Sequence, residues 1–164
     1  MNDPLSDLRE TLVNVKAEIA ATATKYRDII PQSAKPIFDL LPLAAIGWTQ
    51  YIPGFNDGDP CVFTISGPYL VPSMFPDERD EDGDWADIID SWTIKYYTEK
   101  EIHLDRLTAL GIYPFNYQEA IQVLNDFTKL FEVEEFFEAA FGVGVRVVVH
   151  PTGKIDITEY DCGY

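Results

Sequence analysis

Carboxylates are the side chains of this 164-residue chain most able to do chemistry. Residues 77 to 90, DERDEDGDWADIID, hold eight acids and one base, a net charge of −7 in fourteen positions. Acids at that density could ligate a divalent cation, share a proton in acid–base catalysis, or meet a cationic partner through charge-assisted hydrogen bonds. The calcium reading fails on its own spacing. With Gly83 set as the glycine of an EF-hand loop, Glu78, Asp80 and Asp82 take the first, third and fifth ligand positions, but the twelfth is Ile89 instead of a bidentate glutamate. Setting Gly58 there puts Pro53 first. No dedicated metal site and no cofactor is expected. With 28 acids in the chain, pairs of the kind glycosidases and metal nucleases use carry almost no specificity.

The remaining reactive groups are few. His103 and His150 sit in no ligand or nucleophile motif, and nothing local pairs either with Cys61 or Cys162. GVG at 142 to 144 follows a helical pattern and precedes a strand pattern, the reverse of a dinucleotide fingerprint, and no GxSxG occurs. No catalytic residue is assigned. The two cysteines suit neither a disulfide framework nor zinc spacing, which fits a reducing cytosol.

A second constellation is WTQYIPGFNDGDPCVF, residues 48 to 63. Residues alternate on both sides of NDGD, whose Asn and Asp side chains and glycine suit a tight reversal at 56 to 59. Trp48, Tyr51, Asn56, Asp57, Gly58 and Asp59 are therefore either a structural turn or the lining of a pocket between this hairpin and a phenylalanine-rich helix. A positive φ is expected at Gly58, with Asp57 or Asp59 capping backbone amides. The segment resembles the signature hairpin, WTQYxPxFNDGDxCxF, of a family of uncharacterised bacterial and phage proteins. The match rests on Trp48, Thr49, Gln50, Tyr51, Pro53, Phe55, Asn56, Asp57, Gly58, Asp59, Cys61 and Phe63. It implies a microbial or phage origin and carries over no activity.

The whole chain has 12 basic and 28 acidic residues, a net charge of −16. That disfavours direct contact with nucleic acid or anionic lipid, which would be repelled. Residues 1 to 44 carry six acids and five bases, a net of −1, so the excess lies beyond them. No run of apolar residues is long enough to span a membrane, and the first residues lack a secretory signal's basic and apolar regions. A cytoplasmic location is expected, the host cytoplasm if the protein is phage-encoded.

Several elements must position these groups. Leu5, Leu8, Leu12, Val15, Ile19, Ala23, Tyr26 and Ile30 repeat by threes and fours, predicting a helix over residues 1–31 that starts at Asp3 and Pro4 and stops at Pro31. Its seam is expected to dock on the domain's own core, with homo-oligomer formation through it as the alternative. Asn116 with Glu119, and the stop at Gly142, predict one helix over 117–141. Thr98 with Glu101 predicts a helix to Leu110, closed by Gly111. Residues 85 to 97 are read as a short helix followed by a strand, and 67–91 as an acidic loop insertion. Strands are expected at 46–52, 61–66, 143–150 and 154–160, the third of them interior because of its valines.

Hairpin signals separated by helices, instead of alternating βαβ units, predict one α+β domain: an antiparallel sheet of four to five strands covered by long helices. The expected function is that of a non-catalytic acidic interaction protein. Asp77, Glu78, Asp80, Glu81, Asp82, Asp84, Trp85 and Asp87 would imitate nucleic-acid charge and block a basic host protein, in the manner of a phage inhibitor. The alternative is a small-molecule-binding or hydrolytic domain with a carboxylate-lined pocket near the 48–63 hairpin.

Overall fold

The computed structural model describes residues 4–54, 57–73, 91–109, 111–114 and 116–163, and side chains from residue 7, with those of residues 91 and 92 also outside the description. The expected partner-binding residues from Asp77 to Asp87, and Asn56 of the turn, lie outside the described residues. The architecture is α+β. A four-stranded antiparallel sheet, β1 (Leu43–Tyr51), β2 (Thr64–Pro72), β3 (Val145–Val149) and β4 (Ile155–Glu159), has the order β2-β1-β3-β4. As expected, the valine-rich β3 is interior, because only there are both of its hydrogen-bonding edges used.

Helix α1 (Pro4–Leu40) overturns the expected stop at Pro31, since both Pro31 and Pro36 lie inside it. Each proline removes a backbone donor and crowds the carbonyl four residues back, at a cost of about 3 kcal/mol. Burial outweighs that cost. Ile30, Ala34 and Ile37 have no exposed surface and Leu41 only 2 %, and each large apolar side chain so buried contributes about 1.5–3 kcal/mol. The residues four before the prolines, Arg27 and Gln32, are exposed, so water can serve the carbonyls that lose a partner.

The predicted 117–141 helix is three pieces: α4 (Tyr117–Thr128), a 3-10 turn (Lys129–Glu132) and α5 (Glu134–Phe141), with Val133 non-helical at φ −109° and ψ 69°. The break has a packing reason. On one straight helix Phe131 and Phe137 would point about 120° apart. Here their rings stack with centroids 4.5 Å apart. Gly142 ends α5 at φ 90°, as expected. Asn116 precedes α4 without a side-chain cap; its amide instead donates to the Gly111 carbonyl at 3.0 Å.

Residues 91–109 also correct the expectation. The stretch read as a strand is α2 (Ser91–Lys100), and Thr98 is no cap but an interior residue whose hydroxyl donates to the Ile94 carbonyl at 2.9 Å. Ile94, fully buried against the core, selects helix over the β-favouring composition of WTIKYY. Helix α3 (Leu104–Ala109) starts after His103, whose carbonyl accepts from the Arg106 and Leu107 amides, and Gly111 follows it at φ 70°.

The first hairpin is real but longer-stranded than predicted. β1 starts at Leu43, and β2 runs from Thr64 to Pro72, taking residues 67–72 out of the expected loop insertion. Tyr51 pairs with Thr64, so residues 52 to 63 form a long connection in place of a four-residue reversal. Pro68 and Pro72 fit within β2 because it is an edge strand. The expected positive φ is present at Gly58 (96°), with Asp57 beside it at 39°. A Cβ at Gly58 would touch nothing, so Gly58→Ala should cost about 1 kcal/mol through backbone strain alone. A thermal melt checks this, and an unchanged midpoint would contradict it.

One face of the sheet carries Ile46, Trp48, Leu70, Val147 and Val149 into the main core, under α1, α4 and α5. The other face holds a small cluster of Ala45, Tyr69, Val71 and Val148. There the Tyr69 ring lies over Gly47, where a Cβ would come within 2.7 Å of it.

Candidate functional site

The described residues of the 48–63 constellation do not converge. Trp48 points into the helical layer with no exposed surface, its ring edge-on to Phe131, Phe137 and Phe141 at centroid distances of 5.2, 5.6 and 5.4 Å. Gln50 is equally buried. Its carbonyl accepts from the Trp48 indole N–H at 3.0 Å, and its amide donates to the Phe137 carbonyl at 3.0 Å and to the Gly142 carbonyl. These side chains fill the space in which a pocket beside the phenylalanine-rich helix would have to open. Tyr51 falls on the opposite face, its ring 5.7 Å from Tyr160. Asp57, Gly58 and Asp59 are exposed on the connection.

The other reactive groups are dispersed. Cys61 is an exposed free thiol and Cys162 is partly buried. The His103 ring lies 5.0 Å from Tyr97. His150 Nε2 is 2.7 Å from Asp156 Oδ2, and Lys154 Nζ is 2.8 Å from Asp156 Oδ1. The Lys154 hydrogen bond first, and that of His150 second, hold the Asp156 carboxyl below the usual carboxylate range. This trio closes the β3–β4 turn, where the His150 amide donates to the Lys154 carbonyl at 2.9 Å. Among the described residues no three His, Cys, Asp or Glu side chains are grouped to hold a metal ion.

What the fold does expose is the first half of α1. Every residue from Asp7 to Ala21 is exposed. Within that stretch Leu8 is 55 % exposed, Leu12 51 %, Val15 45 % and Ile19 47 %. The expectation that the seam docks on the domain's own core holds only from Ala23 onward. Ala23 and Ile30 are buried and Tyr26 is half-buried, its hydroxyl donating to the Leu130 carbonyl at 2.6 Å. Burial raises the Tyr26 pKa. The division has a geometric cause: a helix of 37 residues is about 55 Å long, and the layer formed by α4, α5 and the sheet supports only its second half. Periodicity revealed the seam, but nothing in the sequence marked where its support ends.

Charge divides elsewhere, at the end of α1: residues 1 to 44 carry a net of −1, so both halves of the helix are nearly neutral. Residues 7 to 21 carry three acids and two bases, a net of −1, whereas residues 45 to 164 carry twenty-two acids and seven bases, a net of −15. Within α4, the 3-10 turn and α5, six acids face the single base Lys129, which pairs with Asp126 at 2.7 Å. Among the described residues no helix is long and apolar enough to cross a membrane. No family model, curated protein or solved structure matches the chain.

Proposed function

We propose that this chain is a non-catalytic interaction protein whose acidic body engages a basic protein surface through residues 77–87 and competes there with nucleic acid. The observation that carries this reading is the partition of charge: residues 1–44 are nearly neutral at −1 and residues 45–164 carry −15, with −7 concentrated between residues 77 and 90. Carboxylates at irregular spacing meet the lysine and arginine side chains that otherwise hold phosphates, and the field of the whole body steers the encounter. Trp85 supplies an aromatic anchor among the acids. The resemblance of residues 48–63 to bacterial and phage proteins fits an inhibitor of a host defence or nucleic-acid-binding protein, acting in the host cytoplasm.

Capture of proteins from a microbial lysate at low and then raised salt tests this reading. The parent should retain a basic nucleic-acid-binding protein at low salt, release it as salt rises, and lose it to added DNA. Neutralising Asp80, Glu81, Asp82 and Asp84 together to Asn or Gln should leave the melting temperature nearly unchanged and weaken capture by about tenfold or more. Equal capture by the neutralised variant, with the same salt dependence, would reduce the acidic segment to a solvated surface.

A further inference from the structure

From the exposed half of α1 we infer a second binding surface, independent of the acidic segment: two copies of this chain associate through their N-terminal arms, side by side and antiparallel. The arm is built as a packing surface. Its seam of Leu8, Leu12, Val15 and Ile19 continues the stripe that, from Ala23 through Ile30, Ala34 and Ile37, forms the domain's own core. In the exposed half Thr11, Val13, Val15 and Ile19 are β-branched and slightly lower its intrinsic helix propensity. The arm extends from the packed half of α1, so it needs no nucleus of its own, and a partner along the seam buries the apolar side chains that the domain leaves in water.

The occupant follows from charge and shape. A net of −1 on residues 7–21 offers no strong field to a highly charged partner, whereas a second arm brings matching apolar residues. Antiparallel packing sets Leu8 against Ile19 of the second copy and Leu12 against Val15, so two-fold symmetry closes the whole seam on itself. It also places the two bodies, residues 22–164 with a net charge of −14 each, at opposite ends of the pair. Arg9 and Lys16 each directly follow a seam residue, Leu8 and Val15, and so lie along the same edge, where the two copies bring like charges together. The contact is small. An arm of fifteen residues is about 22 Å long and about 10 Å wide, well short of the roughly 800 Å² per partner of a standard interface. The association is therefore weak and concentration-dependent, and salt tightens it by screening both the bodies and this basic edge.

Sedimentation velocity of the full chain from about 5 to 200 μM should show monomer passing to dimer, with a Kd on the order of 100 μM. Raising salt from about 150 to about 500 mM should strengthen the dimer. That is the opposite of the response expected for capture of a basic partner, so the two readings fail separately. Leu12→Glu places a charge in the centre of the seam and should weaken association by about tenfold or more, while Val13→Glu, one position outside the seam, should leave it unchanged. Both positions are exposed, so at concentrations where the parent is a monomer both variants should keep its melting temperature. A monomer across the whole range, a dimer that survives Leu12→Glu, or equal loss in Val13→Glu would overturn the inference.

Discussion

Replacing Trp48 with alanine should lower the stability of the fold more than almost any other single change, by about 3–5 kcal/mol for the lost aromatic volume alone. The side chain has no exposed surface and is enclosed by three phenylalanine rings, each edge-on at centroid distances between 5.2 and 5.6 Å. Such pairs contribute beyond the area they bury, because the positive edge of one ring meets the negative face of another. Alanine also removes the indole donor and leaves the Gln50 carbonyl buried without it, a further cost on the order of 1–3 kcal/mol. For a chain of this length each kcal/mol moves the melting temperature by roughly 2–4 °C, so the midpoint should fall by about 10 °C or more. Trp48→Phe retains a ring but no donor and should fall between the two. Calorimetry decides, and a drop of under about 3 °C would show that the helical layer is not packed around this residue.

The second large effect belongs to Gln50. Its amide joins the central strand to the end of α5 through the Phe137 and Gly142 carbonyls, while its carbonyl accepts from Trp48. Gln50→Leu keeps the approximate volume but strips a buried donor and buried acceptors of their partner, at a cost on the order of 3 kcal/mol. Gln50→Glu should be worse at neutral pH. An ionised carboxylate can still accept from Trp48, but it faces two carbonyl oxygens and loses its solvation. Burial raises the folded-state pKa of such a carboxyl above its unfolded value of about 4.3. The added penalty is therefore absent below the unfolded value and grows as pH rises through the window above it. Denaturant midpoints should show Gln50→Glu below Gln50→Leu at pH 7, with the gap closing or inverting as pH falls towards 5. A gap independent of pH would mean that the carboxylate reaches water.

Local chemistry made several features legible. The β-branched runs around PTG identified the β3–β4 hairpin, and the composition of β3 identified it as an interior strand. Gly58 and Gly142 were legible because few other residues adopt a positive φ without strain. Caps were misleading. Asn116 and Thr98 have the residue types of N-caps, but their side chains bond to other carbonyls, since a capping motif specifies only which hydrogen bonds a residue can make.

The sequence by itself determined the α+β class, the partition of charge and the apolar stripe of α1, because composition and periodicity are properties of the chain before it folds. Tertiary structure alone decided how that stripe is used. Ile30, Ala34, Ile37 and Leu41 found a layer to bury against, which carried the helix past two prolines, while Leu8, Leu12, Val15 and Ile19, of the same periodicity, met no layer at all. It likewise decided the break at Val133, which lets Phe131 stack on Phe137, and sent Trp48 and Tyr51 of one segment to opposite faces of the sheet. The physical reason is common to these cases. Periodicity marks which face of an element is apolar, whereas burial, worth a few kcal/mol per side chain, depends on what other elements bring opposite that face.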